Sequence, residues 1–498
     1  MNILARLFKL VPPLLRGGSG WGCLPRTRLG FSPSLLGRAG VGLLVGLFLS
    51  LSWCSLHAQQ LQRYNPHFHL SAKNFCDTIP IIIEDDLILL PVTIGDQQFR
   101  FLLDTGSSQG MVYANTDVYP LVTLGNIISR DANNHQDTVQ VVQLPPFTLK
   151  TLPSSARPAA TLSSERTLNS TPITISGYVA SLMPRDAVSS KYDAVIGFDL
   201  FNRGLCAKID RQQSVLILSD NKKAFRNEEK LGHTLRYKLK WFVPYLYVSP
   251  FVRHTDEALF DTGSTALYTM SRQSFDEHVA ADLANLSKQL GADIERQVEG
   301  RAEGHLSIGG FGIEEKDEVV FLHLDRLKWA DFSFTDLHAI TTQGASKIGS
   351  QILSYGSILI NPFRKRITFL PNPSTAIPLP TGEGQGGAPS GAPGVAIPLP
   401  TGEGQGGAPP SSVRVANRQL GVAFVPQQGR AAVGLIWDQS QPYQAGMRQG
   451  DIILQIDQRL ILTFADFLRF RFVKGEPHTF RLLTADGTEK TVTCIIKE

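Results

Sequence analysis

The chain reads as mostly β: two related lobes followed by a small α+β domain. Three observations predict this. An apolar strand running into Asp-Thr-Gly-Ser occurs twice, at Phe101 to Ser108 and at Ala258 to Thr265. The spacing after each copy is nearly the same. From Asp104 to Gly197 is 93 residues and from Asp261 to Gly349 is 88; seven more reach Gly204 and Gly356, and eleven more reach Val215 and Ile367. Such register marks an internal repeat. Finally, composition changes between residues 371 and 411, where a Pro/Gly-rich segment beginning at Ala376 returns word for word at Ala396. That density of Pro and Gly cannot bury a core, so 372–411 reads as a flexible linker.

With 498 residues, 42% hydrophobic and 18% charged, the chain is globular and long enough for two to four domains. Its net charge of +4 belongs to the first 58 residues, which hold six basic residues and no acidic one. The remainder is about −2, and no basic stretch carries interleaved aromatics, so nucleic acid is not an expected partner.

Basic residues precede the apolar run Val41 to Trp53, and Ala58 supplies a small residue before Gln59. That run suits a signal peptide better than a membrane span, which needs about 20 residues. Residues 1–58 are therefore expected to be a signal peptide or an uncleaved N-terminal anchor. The protein is expected to be exported: periplasmic, surface-attached or secreted. Beyond Ala58 only Cys76, Cys206 and Cys494 remain. Cys76 and Cys206 either pair within one domain or stay as thiols. There is no Cys-x-x-Cys, and His67 with His69 reads as surface, so neither metal nor cofactor is expected.

Residues 59–78 are polar and irregular. The first lobe, 79–222, opens with Ile/Leu-rich strands and a Gly95-Asp96 turn into Phe99 to Leu103. A hairpin follows, Ile127 to Arg130 and Val139 to Val142, around the polar tip Asp131 to His135. A polar segment, 154–171, leads to Ile173 to Met183 and then to Val195-Ile196-Gly197. The charged stretch Asp220 to Gly232 is the expected lobe boundary. The second lobe, 233–371, repeats the plan. It adds a helix over 274–290 with Phe275, Val279, Leu283 and Leu286 at helical spacing. It also adds a hairpin with arms His305 to Ile308 and Glu318 to Leu322 around Gly309 to Gly312. Each lobe closes on a strand, Val215 to Leu218 or Ile367 to Leu370. The last domain, 412–498, shows a helical pattern at Phe464 to Phe472 and strands at Thr479 to Leu483 and Thr491 to Ile496.

Two carboxylates a few ångströms apart supply the base and the acid that amide hydrolysis needs without a metal. Close like charges resist double ionisation, so such a pair holds one shared proton. Asp104 and Asp261 are the candidate catalytic pair. Gly106 and Gly263 allow the tight turns and offer N–H groups. Thr105 and Thr262 are placed to bond across the two-fold axis. Ser107 and Ser264 are placed to support the carboxylates from outside. The hairpins near Asn133 and Gly310 are candidate flaps over a bound peptide.

These segments resemble retropepsin-like and pepsin-like aspartic proteases over about Ile79 to Leu370. The resemblance rests on the two Asp-Thr-Gly-Ser copies, Val195-Ile196-Gly197 and Lys347-Ile348-Gly349. It implies the bilobal acid-protease fold of two β-barrel-like lobes, with one catalytic aspartate from each. Both halves in one chain imply a monomeric active site. The chain departs from the pattern at Lys347, where an apolar residue is usual, and lacks a pepsin-type flap Tyr-Gly pair. The last domain resembles a PDZ domain, through Ala445-Gly446-Met447-Arg448-Gln449-Gly450-Asp451-Ile452-Ile453 and the loop Leu420-Gly421-Val422-Ala423. That resemblance implies a backbone cradle for a peptide carboxylate and strand addition at a sheet edge. The expected partners are polypeptide substrates and a peptide or C-terminus at the PDZ domain. Two other readings stand beside an exported aspartic endopeptidase. One is a non-catalytic peptide-binding scaffold; the other is a protease held inactive until processed or bound.

Overall fold

A computed structural model describes residues 68–113, 120–133, 135–152, 172–184, 191–285, 294–373, 412–418, 420–473 and 475–496. The leader, the polar segment 154–171 and the repeat 376–409 lie outside these residues. No helix among the described residues is long and apolar enough to cross a membrane.

The chain is mostly β, and its first two lobes share one wiring diagram. In the first, the strands lie in the order Leu87–Ile94, Gln97–Leu103, Ala194–Ile196, Gly110–Tyr113, Val179–Met183, Gln136–Gln143, Val122–Arg130. In the second, the order is Val243–Phe251, His254–Asp261, Lys347–Gly349, Tyr268–Ser271, Phe332–Thr342, Asp317–Trp329, Val298–Gly304. The senses agree pair by pair: antiparallel, parallel, antiparallel, parallel, then two antiparallel. Matching order and sense at seven positions confirm the internal duplication.

A third sheet joins the lobes. Cys76–Pro80, Val215–Ser219 and Cys206–Asp210 meet Gly356–Asn361, Arg366–Pro371 and His233–Arg236. The seam runs antiparallel from Ala207↔Ile360 to Ile209↔Ile358. One apolar core runs through both lobes and includes Phe101, Leu103, Ile196, Phe260 and Ile348. These residues flank the two Asp-Thr-Gly turns, and fully burying each contributes about 1.5–3 kcal/mol. The turns are thus clamped by the most stable part of the fold.

Several elements differ from expectation. Residues 59–78 are not all irregular: Phe68 is fully buried, and Cys76–Pro80 forms the outer strand of the joining sheet. Burial there comes from partners about 140 residues away, which no local pattern reports. Cys76 and Cys206 stand two strands apart, each level with Ser219. Two strand spacings put their Cα atoms about 10 Å apart, beyond the usual disulfide reach of about 7 Å, and no disulfide joins them.

The helix spans Arg272–Asn285, starting early because Arg272 and Gln273 bond Asp276 and Glu277 one turn on. Phe275 is buried, but Leu283 faces solvent. In the second-lobe hairpin the arms are Val298–Gly304 and Asp317–Trp329. Ile308–Gly309 and Gly312–Ile313 form a separate small hairpin at the tip.

After residue 411 the chain first returns to the second lobe. Ser412–Arg414 adds in parallel to Phe332–Thr342, and Asn417 exchanges two hydrogen bonds with His338. The last unit then follows. Val422–Gln427, Arg430–Ile436, Ile452–Ile456, Pro477–Leu483 and Glu489–Ile495 form its sheet in that order. Its helix Phe464–Leu468 opens on a capping box between Thr463 and Asp466. It stops short of Phe472 because Phe470 and Phe472 turn inward against His478, with ring centroids 5.4 and 5.3 Å away. The unit has its own core, including Met447, Phe480 and Val492. It is fastened to the second lobe by Trp437 stacked on Phe321 at 5.2 Å. His305 N–H also donates to the Gly434 carbonyl at 3.0 Å.

Candidate active site

Each Asp-Thr-Gly turn ends a buried strand and is held from behind by a glycine. Phe198 N–H donates to the Ser107 carbonyl and Ser350 N–H to the Ser264 carbonyl, both at 2.8 Å. A Cβ on Gly197 would lie 2.7 Å from the Ser107 oxygen, and one on Gly349 only 2.1 Å from the Ala266 oxygen. Both distances are too short for any side chain, which accounts for the apolar-Gly segment after each turn.

The structure brings the two turns face to face. Thr105 N–H donates to Thr262 Oγ1 at 3.0 Å, and Thr262 N–H donates to Thr105 Oγ1 at 3.0 Å. Each hydroxyl in turn donates to the strand before the opposite turn: Thr105 to the Phe260 carbonyl at 2.7 Å, Thr262 to the Leu103 carbonyl at 2.6 Å. Both threonines are fully buried. Gly106 N–H donates to Asp104 Oδ1 at 2.8 Å and Gly263 N–H to Asp261 Oδ1 at 3.0 Å. A Cβ on Gly106 would sit 2.5 Å from the Asp261 carboxyl carbon, and one on Gly263 2.7 Å from that of Asp104. Each carboxyl group is thus set against the glycine of the opposite turn, close enough to the other carboxyl to act on its proton.

Burial, then the charge and hydrogen bond of Asp261, push the Asp104 carboxyl up to about 8. The Gly106 N–H and the Lys347 ammonium pull the other way and lose. Lys347 Nζ lies 3.1 Å from Asp261 Oδ2, with 17% of its side chain exposed. Burial opposes its charge, but Asp261, then Asp104 and Glu314, hold the ammonium above its ordinary range. The residue that departs from the sequence pattern is therefore part of the site.

Ser107 is a correction. Its hydroxyl donates to the Gln109 carbonyl at 2.6 Å and supports the loop, not a carboxylate. Ser264 contributes through its carbonyl, which accepts from Ser350 N–H and, at 3.0 Å, from the Ser350 hydroxyl.

The hairpin tips of the two lobes meet each other. Asp131 Oδ1 accepts its own turn's N–H groups, from Asn133 at 3.0 Å and His135 at 2.8 Å. Its Oδ2 accepts Phe311 N–H, from the other lobe, at 2.9 Å. Asn133, in a tip that reads as exposed and polar, is buried against Ser307 and Gly312. Glu314, also buried, accepts from Ser307, Thr342 and Gln343 at 2.7–3.0 Å. Sequence reasoning missed Asp131 and Glu314, because both act through partners on distant strands. A cavity of about 610 Å³ opens between the hairpins and Pro426; Asp137 lines it, and neither Asp104 nor Asp261 does.

In the last unit, Gly421 has φ +64°, and a Cβ there would meet Ser440 Cβ at 2.6 Å. Its carbonyl accepts Trp437 N–H at 2.7 Å. Val422 pairs with Ile436 and Ala423 with Leu435, while Leu420 precedes the strand. Val422–Gln427 is an edge of its sheet among the described residues. Glu299, His323 and His338 also converge, a cluster invisible in the sequence. The two rings stack at 4.3 Å and 8°, so their in-plane lone pairs run side by side and do not aim at one ion. One ring nitrogen of each already donates its N–H to a carboxylate, His338 Nδ1 to Glu299 at 2.8 Å and His323 Nε2 to Asp336 at 2.6 Å.

No family model matches the chain, and no curated protein does. Solved structures similar to it include basic 7S globulin from soybean, at 11% identity and TM-score 0.35, covering 60% of this chain and 95% of that one. Conglutin gamma from lupine seeds is similar at 12% identity and TM-score 0.36, covering 60% and 96%. An aspartic proteinase from Irpex lacteus is similar at 12% identity and TM-score 0.35, covering 60% and 98%.

Proposed function

We propose that the protein is an aspartic endopeptidase. One observation carries the reading: two Asp-Thr-Gly turns, one per lobe, are locked by crossed threonine hydrogen bonds with each carboxyl group set against the opposite turn's glycine. A pair sharing one proton binds a water between its oxygens. One member takes the water's proton while the other donates to the scissile carbonyl oxygen. Polypeptide is the substrate, and the single chain supplies the whole site. The meeting hairpin tips are flaps: substrate enters when the Asp131–Phe311 contact opens, and water is excluded when it closes.

The test is an assay on a peptide library from about pH 3 to 8, a range bracketing an ordinary carboxyl and a raised one, with products identified by mass spectrometry. Cleavage at internal bonds is expected. A non-catalytic peptide-binding scaffold is the second reading, favoured by the ammonium that already occupies one side of Asp261. Binding without cleavage at any pH would support it.

We further propose that the last unit is a PDZ domain that recruits or gates substrate, on the strength of its open strand edge and the positive-φ Gly421 in the loop before it. Peptides with a free C-terminal carboxylate are expected to bind at least about tenfold tighter than their amides, about 1.4 kcal/mol for a charged group on backbone N–H donors. Equal affinity by calorimetry would remove the assignment. Export through the N-terminal leader completes the proposal.

A further inference from the structure

The wiring of the two lobes matches strand for strand, so their differences stand out. In the first lobe, Leu102 lies level with Val195 on the neighbouring strand. Val195 is buried and packs with Leu89 and Leu102. In the second lobe the corresponding pair is Leu259 and Lys347. A buried apolar position has thus been given an ammonium, which ends 3.1 Å from one carboxylate of a pair and not from the other.

Every charged or titratable group set against Lys347 can be named. Asp261 is in contact, while Asp104 and Glu314 lie within electrostatic reach. Tyr245 lies within electrostatic reach of Lys347, Asp261 and Glu257, and Lys240 Nζ sits over its ring at 5.2 Å. Glu314 is satisfied by three donors of its own, which leaves Asp261 as the direct counter-ion.

We infer that Lys347 is a positioning residue of the catalytic pair: it fixes Asp261 as the ionised member and leaves the shared proton on Asp104. This deepens the aspartic endopeptidase reading and rests on it. Two equal carboxylates could hold the proton on either side. An ammonium beside one of them removes the degeneracy, because an adjacent opposite charge favours ionisation. The roles then follow. Asp261 takes a proton from the water as its oxygen bonds to the carbonyl carbon, and Asp104 gives its proton to the carbonyl oxygen. In the second step Asp261 passes its proton to the departing nitrogen as the C–N bond breaks. Asp104 recovers its own proton as the carbonyl re-forms. Lysine, aspartate and protonated aspartate together carry no net charge in the resting state. The ammonium also stabilises the singly ionised pair at low pH, so it extends activity towards acid.

The test combines a pH profile with a direct titration. Lys347→Met, of similar volume and no charge, is expected to move the acid limb of kcat/KM upward by at least about one pH unit. Lys347→Arg is expected to keep it within about half a unit. An unmoved limb in the Met variant, or greater activity at every pH, would overturn the inference; the latter would mean that the lysine obstructs the site. Carboxyl-carbon NMR of aspartate-labelled protein reads the assignment without any turnover. In Asp261→Asn, Asp104 is expected to titrate above the ordinary value of about 3.9, and above the remaining carboxyl of Asp104→Asn. The reverse order overturns the inference even if the enzyme is active. The expected order, in a protein that cleaves nothing, keeps the assignment of charge to Asp261 and proton to Asp104 and refutes the endopeptidase reading instead.

Discussion

Asp104→Asn and Asp261→Asn are each expected to lower peptide hydrolysis by about 10³–10⁴-fold, on the order of 4–5 kcal/mol of transition-state stabilisation. The size follows from the geometry. Each carboxyl group lies against the opposite turn's glycine and accepts an N–H from its own, so each has one place to stand. Asparagine fills that place with nearly the same shape and cannot exchange a proton with water. The losses should not add: the double variant is expected to be no worse than the poorer single one, since either change already removes the acid–base pair. The measurement is kcat/KM on one cleaved peptide, with thermal melting to show that fold is kept. Retained cleavage in either single variant would falsify the shared site.

Thr105→Val is expected to cost about 3 kcal/mol of stability, or roughly 3–5 °C in melting temperature for a chain of this size. Valine keeps the shape and removes one oxygen. That oxygen donates to Phe260 and accepts from Thr262, in a place with no access to water. Its loss orphans a buried carbonyl and a buried N–H at once, each costing about 1–3 kcal/mol. Activity should fall further than stability explains, because a slipped turn misplaces its carboxylate, and about 1 Å of misplacement costs roughly 100-fold. Thr105→Ser keeps both hydrogen bonds and is expected to stay within about 1 kcal/mol of wild type. A valine variant that melts like wild type would show that the crossed bonds contribute nothing.

Much of this site is legible in the sequence. The Asp-Thr-Gly copies, their threonines and the glycines Gly197 and Gly349 announce themselves because each works within a short segment, and the segment occurs twice. Lys347 was visible as a departure from pattern, but only the structure shows that its ammonium reaches Asp261. What the sequence hid is non-local. Asp131 looks like a turn aspartate, which it is, and only its second oxygen does the unexpected thing. The strand Cys76–Pro80 has no local signal because its partner lies near residue 217. Ser107 misled for the opposite reason: its position beside the aspartate suggested contact, while a closer carbonyl captured the hydroxyl.

The return of the chain to the second lobe changes what residues 374–411 are for. Asn372 N–H donates to the Tyr355 carbonyl at 2.9 Å, and the Tyr355 hydroxyl donates to the Val415 carbonyl at 3.4 Å. One tyrosine therefore holds the point of departure and the point of return. The segment between begins and ends on the same lobe, so its length does not set where the last unit sits; Ser412–Arg414 and Trp437 do that. Doubling a loop adds only about 0.6 kcal/mol to its closure. A locus with that property tolerates slippage in its coding repeat, and copy number there is free to drift under weak selection. Excising one copy of the 20-residue period is expected to leave melting temperature and peptide cleavage unchanged, and a shift in either would give the repeat a task that its anchorage does not.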